Sequence, residues 1–486
     1  MEIRLAGMNI DYDLLQESNL AGNPELTPET ISAAYARISR SEKRIPALRR
    51  EARDDVSRTR HSNQTIIFEM GHHSIAEHAV FNLDILDISR LALEALEQFR
   101  LVSYTEKSQR YVTLNGDYHL PKTIENPTDR QRISELFESQ FKFYQLALSR
   151  LKEYHFQNSA LTLNQSGGKR TLEGWAKEDA RYILPMAMTG QVGVTINARN
   201  IEHLMRRFAI HPLDEVQEIG RRIYQLIQPI APSLILFHNP SEFDSHTFQF
   251  SDSPTNCKKN SGNPPYELEV IEFTAAGDDK ILAASLANKR GISFQEALII
   301  VATYPMDQKK AIYRQFFDKM EFFDHLPRIF ELAGLTFQGV ISAANYAQLK
   351  RHRMATLLCD DYHPDLGITI PPLFHETGLS EDYFKLQNQV SDLYQGIKKR
   401  YGRAADYMLT NGHRRAFIMK MNLRELYHFV RLRSDSHAQW DIRHLSNELA
   451  QAAQSIWPFA TMLLCGKSEF NQTYRLLFQK DPQYKI

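Results

Sequence analysis

Cysteine is scarce: Cys257, Cys359 and Cys465 are the three in 486 residues. They are odd in number, widely spaced and outside any CxxC pair, which excludes a disulfide framework and a thiolate metal cage and leaves reduced thiols. An excess of one charge is also missing. Lys+Arg and Asp+Glu both total 58, so no global field draws the chain to nucleic acid or an anionic membrane, and an anion site must be a local cluster. No stretch approaches the roughly 18 apolar residues of a membrane span. The start, Met1-Glu2-Ile3-Arg4-Leu5-Ala6-Gly7, lacks the apolar segment of a signal peptide, so a cytoplasmic protein is expected. Walker loops, GxGxxG turns and GxSxG elbows are absent, and with them those phosphate cradles and that nucleophile.

What is present is the balance of a globular protein, 43% hydrophobic and 24% charged, in a chain too long for one core. Residues 237–265 are dense in Asn, Ser, Pro and Asp, which marks a loop or linker. Apolar residues recur at three and four over Ser89 to Arg100, Ile292 to Thr303 and Ile341 to Leu349, predicting helices. Val192-Gly193-Val194-Thr195-Ile196 and Ala79-Val80-Phe81-Asn82-Leu83 predict strands, so the class is mixed α/β (α+β) with helix dominant.

The halves repeat. The run from Thr195 to His203 (TINARNIEH) matches Lys420 to His428 (KMNLRELYH) at an offset of 225, while His72 pairs with His325 and Arg100 with Arg353 at 253. The difference predicts an insertion in the first copy near Asn164-Gln165-Ser166-Gly167-Gly168. The expected organisation is a first module over 1–240, a linker over 241–265 and a second module over 266–486.

Several motifs have an ordinary structural explanation beside a functional one. Glu106-Lys107-Ser108-Gln109-Arg110-Tyr111, after a predicted helix, gathers an acid, a hydroxyl and a guanidinium, a mix that suits a phosphate but is commoner in solvated loops. Gln348-Leu349-Lys350-Arg351-His352-Arg353 ends a predicted helix, where cations also complement the dipole. Gly71 to His78 holds three histidines in registers that fit neither HExxH nor HxxEH, so no metal site is expected and His72 is read as a stacking or hydrogen-bonding group. Asp435-Ser436-His437 reads as a helix start capped by Ser or Asp.

Taken in order, GHHSIAEHAVF, FRLVSYTEKSQRY, ARYILP and TINARNIEH resemble the flavin-dependent thymidylate synthase family, and RHR with MNLRELYHFVRLRSDSHAQWDI resembles it again. The chain is thus similar to two tandem, divergent copies of that module. The family's signature, R-H-R followed after seven residues by S, is split between them: Gln98-Phe99-Arg100 keeps Ser108, whereas Arg351-His352-Arg353 meets Asp361 where the serine belongs and His363 where an arginine belongs.

The resemblance implies small, mostly antiparallel sheets flanked by helices, and active sites built from two modules. It assigns Gln348, Arg351 and Arg433 to one side of the nucleotide, with Arg433 at the uracil as the catalytic group. Glu106, Ser108, Gln109, Arg110 and Arg181 fall on the other side. The reciprocal positions hold Gln98, Phe208, Asp406 and Cys359, so one composite site is kept and one is lost. For the flavin it implies His72, Ser74, Arg351, His352, Arg353, Asn422, Arg424, His428 and His437, with Asn197, Arg199 and His203 as a weaker repeat.

The activity implied is reductive methylation of dUMP to dTMP, with FAD as cofactor, methylenetetrahydrofolate as carbon donor and NADPH as reductant. The implied assembly is a homodimer of four modules, with no nucleic acid or membrane partner. The alternatives are a related flavoenzyme acting on another pyrimidine nucleotide, or a catalytically silent nucleotide-binding paralogue.

Overall fold

The computed structural model describes residues 1–17, 26–114, 116–249 and 268–485. Cys257 and residues 250–265 of the expected linker lie outside them; within it, Glu242–Gln249 is helical rather than loop. The chain divides into two compact units, Met1–Lys259 with Pro372–Thr410, and Asn260–Pro371 with Asn411–Ile486.

In the first unit β1 (Glu2–Met8), β2 (Val80–Ser89), β3 (Ser103–Glu106) and β4 (Thr189–Asn197) form an antiparallel sheet in the order β1-β2-β4-β3. Both predicted strands are in it. Along β4 the alternation of the sequence becomes an inside and an outside: Val192, Val194 and Ile196 are buried while Gln191, Gly193 and Thr195 face out. The second unit repeats the arrangement with β5 (Leu268–Phe273), β6 (Gly334–Ser342), β7 (Thr356–Cys359) and β8 (Arg414–Asn422), ordered β5-β6-β8-β7. Its sheet carries Leu335, Phe337, Phe417, Met419 and Met421 into the core. Strand β7 follows β3 at the offset of 253 and β8 follows β4 at 225, so the repeat read from the sequence is a repeat of structure.

The insertion in the first copy is helix rather than loop. A 32-residue helix, Pro127–Asn158, replaces the 22-residue Ser380–Tyr401, and Gly168–Ala180 is added after it. Glycine permits the reversal between them: Gly167 has φ +76°, and a Cβ on Gly168 would lie 1.8 Å from the Thr162 carbonyl oxygen. The helix Ser380–Tyr401 belongs to the first unit although it lies in the second half of the sequence. There Tyr401 donates to Asp129 at 3.0 Å and Arg400 pairs with the same carboxylate at 2.8 Å.

Capping explains where the predicted helices begin. Ser89 accepts from the amide of Ala92 and starts Arg90–Leu96; Ser293 and Glu296 form a capping box for Phe294–Ala302. Ile341 and Ser342 end β6, and the helix begins at Ala343 because Ser342 Oγ accepts from the Asn345 amide at 3.0 Å. The helix Arg90–Leu96 does precede Glu106, with the strand that Glu106 ends lying between them. One expectation needs correction. The helix after Arg433 starts at Trp440 and is capped by Gln439, because Asp435 is occupied with the amides of His437 and Ser468, each at 2.9 Å.

Candidate active site

In the second unit the strand-to-helix junction at Asn422 sets the geometry. Asn422 Oδ1 accepts from the Glu425 amide at 2.9 Å and starts the helix Leu423–Arg433, whose spacing of four and three brings Arg424, His428 and Arg431 to one face. That face lines a cavity of about 490 Å³, closed further by Phe322, Phe323, His325, Tyr427 and Lys467. Asn422, Arg424 and His428, expected from the sequence, therefore share one pocket. Arg424 is fixed by the Leu326 carbonyl at 2.7 Å and by Glu331 at 3.2 Å. Arg431 sits over the Phe470 ring at 4.8 Å and donates through Nη1 to the Phe322 carbonyl, while its buried Nε has no hydrogen-bond partner.

Beside this pocket Arg433 donates through Nε to His352 Nε2 at 3.0 Å and through Nη2 to the Gln348 carbonyl at 3.1 Å. Gln348 and His352 are both buried at the end of the helix Ala343–Leu349. The structure thus assembles Gln348, His352 and Arg433. Burial lowers the His352 pKa, Arg433 and His428 lower it further, and Glu425 opposes them. Arg351 and Arg353 are exposed on the turn that follows the helix, with Arg351 Nε donating to the Ala347 carbonyl. His437 stands apart, 91% exposed, its Nδ1 held 2.8 Å from Asp435.

The first unit presents a different kind of site. Glu106, at the end of β3, pairs with Arg90 at 3.0 Å, and Arg90 reaches Glu94 at 3.3 Å. Arg110 pairs with Glu178, whose carbonyl oxygen accepts from Arg181 Nε at 3.3 Å. Ser108 Oγ accepts from the Arg110 amide at 3.2 Å, which bends the chain so that Arg110 turns toward the added helix; Gln109 is buried between them. Arg181 is 4% exposed, and burial works against its charge. The result is a concentrated cluster of three guanidiniums and three carboxylates whose formal charges balance. Ser74 and His72 are exposed on the His73–His78 turn and its edge, His72 lying 3.3 Å from Arg40. Arg199 forms an exposed pair with Glu77.

The replaced positions repack rather than merely decay. Phe99 and Phe208, the counterparts of His352 and Arg433, meet edge-on at 5.8 Å. Asp406, the counterpart of Arg181, is fully buried and accepts from Lys398 at 2.9 Å and Tyr394 at 3.0 Å, with Arg403 as a further partner. Arg403 in turn occupies the place of Glu178, so this pair has exchanged signs. Cys359 ends β7 half-buried.

Sequence reasoning missed His325, Glu425, Tyr427 and Arg431. A signal for His325 existed, because it repeats His72; the period of the Leu423–Arg433 helix pointed to Arg431. Among the described residues no group of three or more His, Cys, Asp or Glu could hold a metal, and no helix is long and apolar enough to cross a membrane.

A flavin nucleotide asks for apolar and aromatic walls around its ring and cations for its phosphates. The second-unit pocket meets that demand. Its volume is in the ordinary range for cofactor sites, Phe322, Phe323 and Tyr427 supply the walls, and Arg424, Arg431 and Lys467 supply the charge, with one donor of Arg431 left unsatisfied.

Comparison with known proteins gives the same direction. The thymidylate synthase complementing protein family matches residues 24–233 and again 270–459. A UPF0159 protein of Thermoplasma acidophilum is 22% identical over 476 residues, covering 88% of this chain and 92% of its own. A flavin-dependent thymidylate synthase of Pyrococcus abyssi is 32% identical over 167 residues, covering 34% of this chain and 60% of its own. Another, of Clostridium tetani, is 27% identical over 218 residues, with 44% and 83% covered.

Proposed function

We propose, for a chain that belongs to the thymidylate synthase complementing protein family, that it is a flavin-dependent methyltransferase converting dUMP to dTMP in the cytoplasm. FAD is its cofactor and, once reduced by NADPH, supplies hydride, while methylenetetrahydrofolate supplies the carbon. The observation that carries the reading is the second-unit arrangement in which Arg433 is held by His352 and Gln348 beside a pocket lined by Asn422, Arg424 and His428.

Each residue set has a physical task. Arg433, fixed at two of its nitrogens, presents positive charge to the uracil imide and favours ionisation of N3; such preorganised charge acts without reorganisation cost. Gln348 and Arg351 orient the same end of the nucleotide. Ser108, Arg110 and Arg181 of the first unit hold the other end, where a phosphate dianion needs several charge-assisted donors at once, and Glu106 holds Arg90 in place beside them. Asn422, Arg424, His428, His352, Arg353 and His437 serve the flavin in this reading, together with His72 and Ser74. The lost reciprocal set supports one productive site per chain: Phe99 and Phe208 offer no donor, and Asp406 would repel a phosphate. Two chains, four modules in all, form the assembly.

Purified protein tests this directly. Absorbance in the flavin bands together with dUMP-dependent turnover, using folate and NADPH, supports the proposal. Yellow protein that leaves dUMP unchanged means a different pyrimidine nucleotide is the substrate, and a colourless, inert protein is a silent paralogue. Arg181→Ala and Arg433→Ala should each lose dUMP binding; retention in either removes that half-set from the site.

A further inference from the structure

The proposed role of Arg433 depends on where its guanidinium points, and His352 fixes that direction in a way that involves Glu425, a residue to which the family resemblance assigned no role. Arginine Nε–H can only donate. Since it lies 3.0 Å from His352 Nε2, that nitrogen must carry a lone pair. The imidazole proton is therefore on Nδ1, and the ring is neutral. Its 5% exposure works in the same direction, because an imidazolium would be costly beside a guanidinium in so dry a place.

On the Nδ1 side stands one carboxylate. Glu425 Oε1 lies 3.5 Å from His352 Nδ1, longer than an ordinary hydrogen bond, and Nδ1 is otherwise unsatisfied. Glu425 comes from the first turn of the helix that ends in Arg433, its amide capped by Asn422. Phe429, from the same helix, meets the His352 ring edge-on at 4.7 Å and limits its rotation. One helix thus supplies the acceptor, the ring clamp and the arginine. The first copy has Asn200, Phe99 and Phe208 where the second has Glu425, His352 and Arg433, so the carboxylate, the imidazole and the guanidinium are absent there together.

We infer that Glu425 is a positioning residue: through the Nδ1 proton of His352 it selects the tautomer that accepts from Arg433, and so aims the Arg433 guanidinium. The order Glu425, His352, Arg433 is a carboxylate–imidazole–cation relay in which no proton is transferred during turnover. A carboxylate behind an imidazole commonly sets which ring nitrogen is protonated. This inference deepens the proposed function and rests on Arg433 facing the pyrimidine nucleotide.

The test uses full-length protein with labelled histidine, the His352 resonances being assigned from a His352→Asn spectrum. Without nucleotide, ring carbon and nitrogen shifts should report the Nδ1–H tautomer. Glu425→Ala should move His352 toward a mixture with Nε2–H and weaken dUMP binding by roughly tenfold, the scale of one buried acceptor removed. Glu425→Gln, whose amide oxygen still accepts, should restore the tautomer and most of the affinity. A parent protein with His352 as Nε2–H or charged, or a Glu425→Ala variant with unchanged tautomer and affinity, overturns the inference. If the tautomer responds as stated but the parent protein does not bind dUMP, the relay stands and the nucleotide assignment falls.

Discussion

Replacing Arg433 by alanine separates binding from folding, and the structure sets both magnitudes. The guanidinium serves two acceptors, His352 Nε2 at 3.0 Å and the Gln348 carbonyl at 3.1 Å, in residues that are 5% and 6% exposed. A buried acceptor left without a donor costs about 1–3 kcal/mol. Arg433 itself is half-buried, so water can fill its place and the stability loss should stay near about 1 kcal/mol. Loss of a desolvated charge partner to the nucleotide is larger, about 2–5 kcal/mol, or roughly thirtyfold to several thousandfold in Kd. The counterpart in the first unit should behave in the opposite way. Phe208 is 2% exposed and packed on Phe99, so Phe208→Ala removes core volume and costs about 3–5 kcal/mol of stability, while dUMP affinity of the folded protein is unchanged. Calorimetric titration with dUMP at fixed salt, alongside thermal melts, measures both. A Kd within threefold of the parent for Arg433→Ala, in protein that melts normally, refutes the assignment of the second unit as the one that holds the pyrimidine.

Arg199→Ala removes an ion pair whose partners are 38% and 37% exposed, an arrangement worth about 0–1 kcal/mol, so its effect on melting should be small and on turnover much less than that of Arg433→Ala. Equal losses would overturn the half-site assignment. Gly277→Ala places a Cβ 2.4 Å from the indole nitrogen of Trp457, which is fully buried and donates to the Thr274 carbonyl at 3.0 Å; overpacking of that kind should cost about 1–3 kcal/mol in a thermal melt. Stability should also fall on acidification below the unfolded histidine pKa. Burial depresses the folded pKa of His413 to about 3, so the unfolded chain takes up the proton first as pH drops from 6.5, and each such histidine withdraws about 1.4 kcal/mol per pH unit until the folded pKa is reached. Denaturant titrations between pH 7 and 5 should show that slope, reduced by one proton in His413→Gln; a flat profile refutes it.

Local patterns were legible because one face of each element is apolar. The alternation along β4 and the helices that follow Ser89, Ser293 and Ser342 were legible from spacing, whereas the Ser caps that start those helices emerged only with the structure. The exchange of Pro372–Thr410 into the first unit was not legible, because periodicity says which face of Ser380–Tyr401 is buried but not what buries it. The same limit hid Glu425, whose importance comes from a ring nitrogen 3.5 Å away, a relation with no one-dimensional motif.

The repeat offers the exception, since it compares two solutions to one packing problem. Where Arg433 and His352 form a polar contact, Phe208 and Phe99 form an apolar one, and where Arg181 sits above Glu178, Asp406 sits above Arg403. Each change is paired with its neighbour's, as it must be in a dry interior where a lone charge costs several kcal/mol or more. Unselected loss would leave single mismatches. Paired replacement means that each copy has kept matched neighbours at these positions while only one set retained the groups a nucleotide could use, and the offsets of 225 and 253 make those pairs readable before any contact is known.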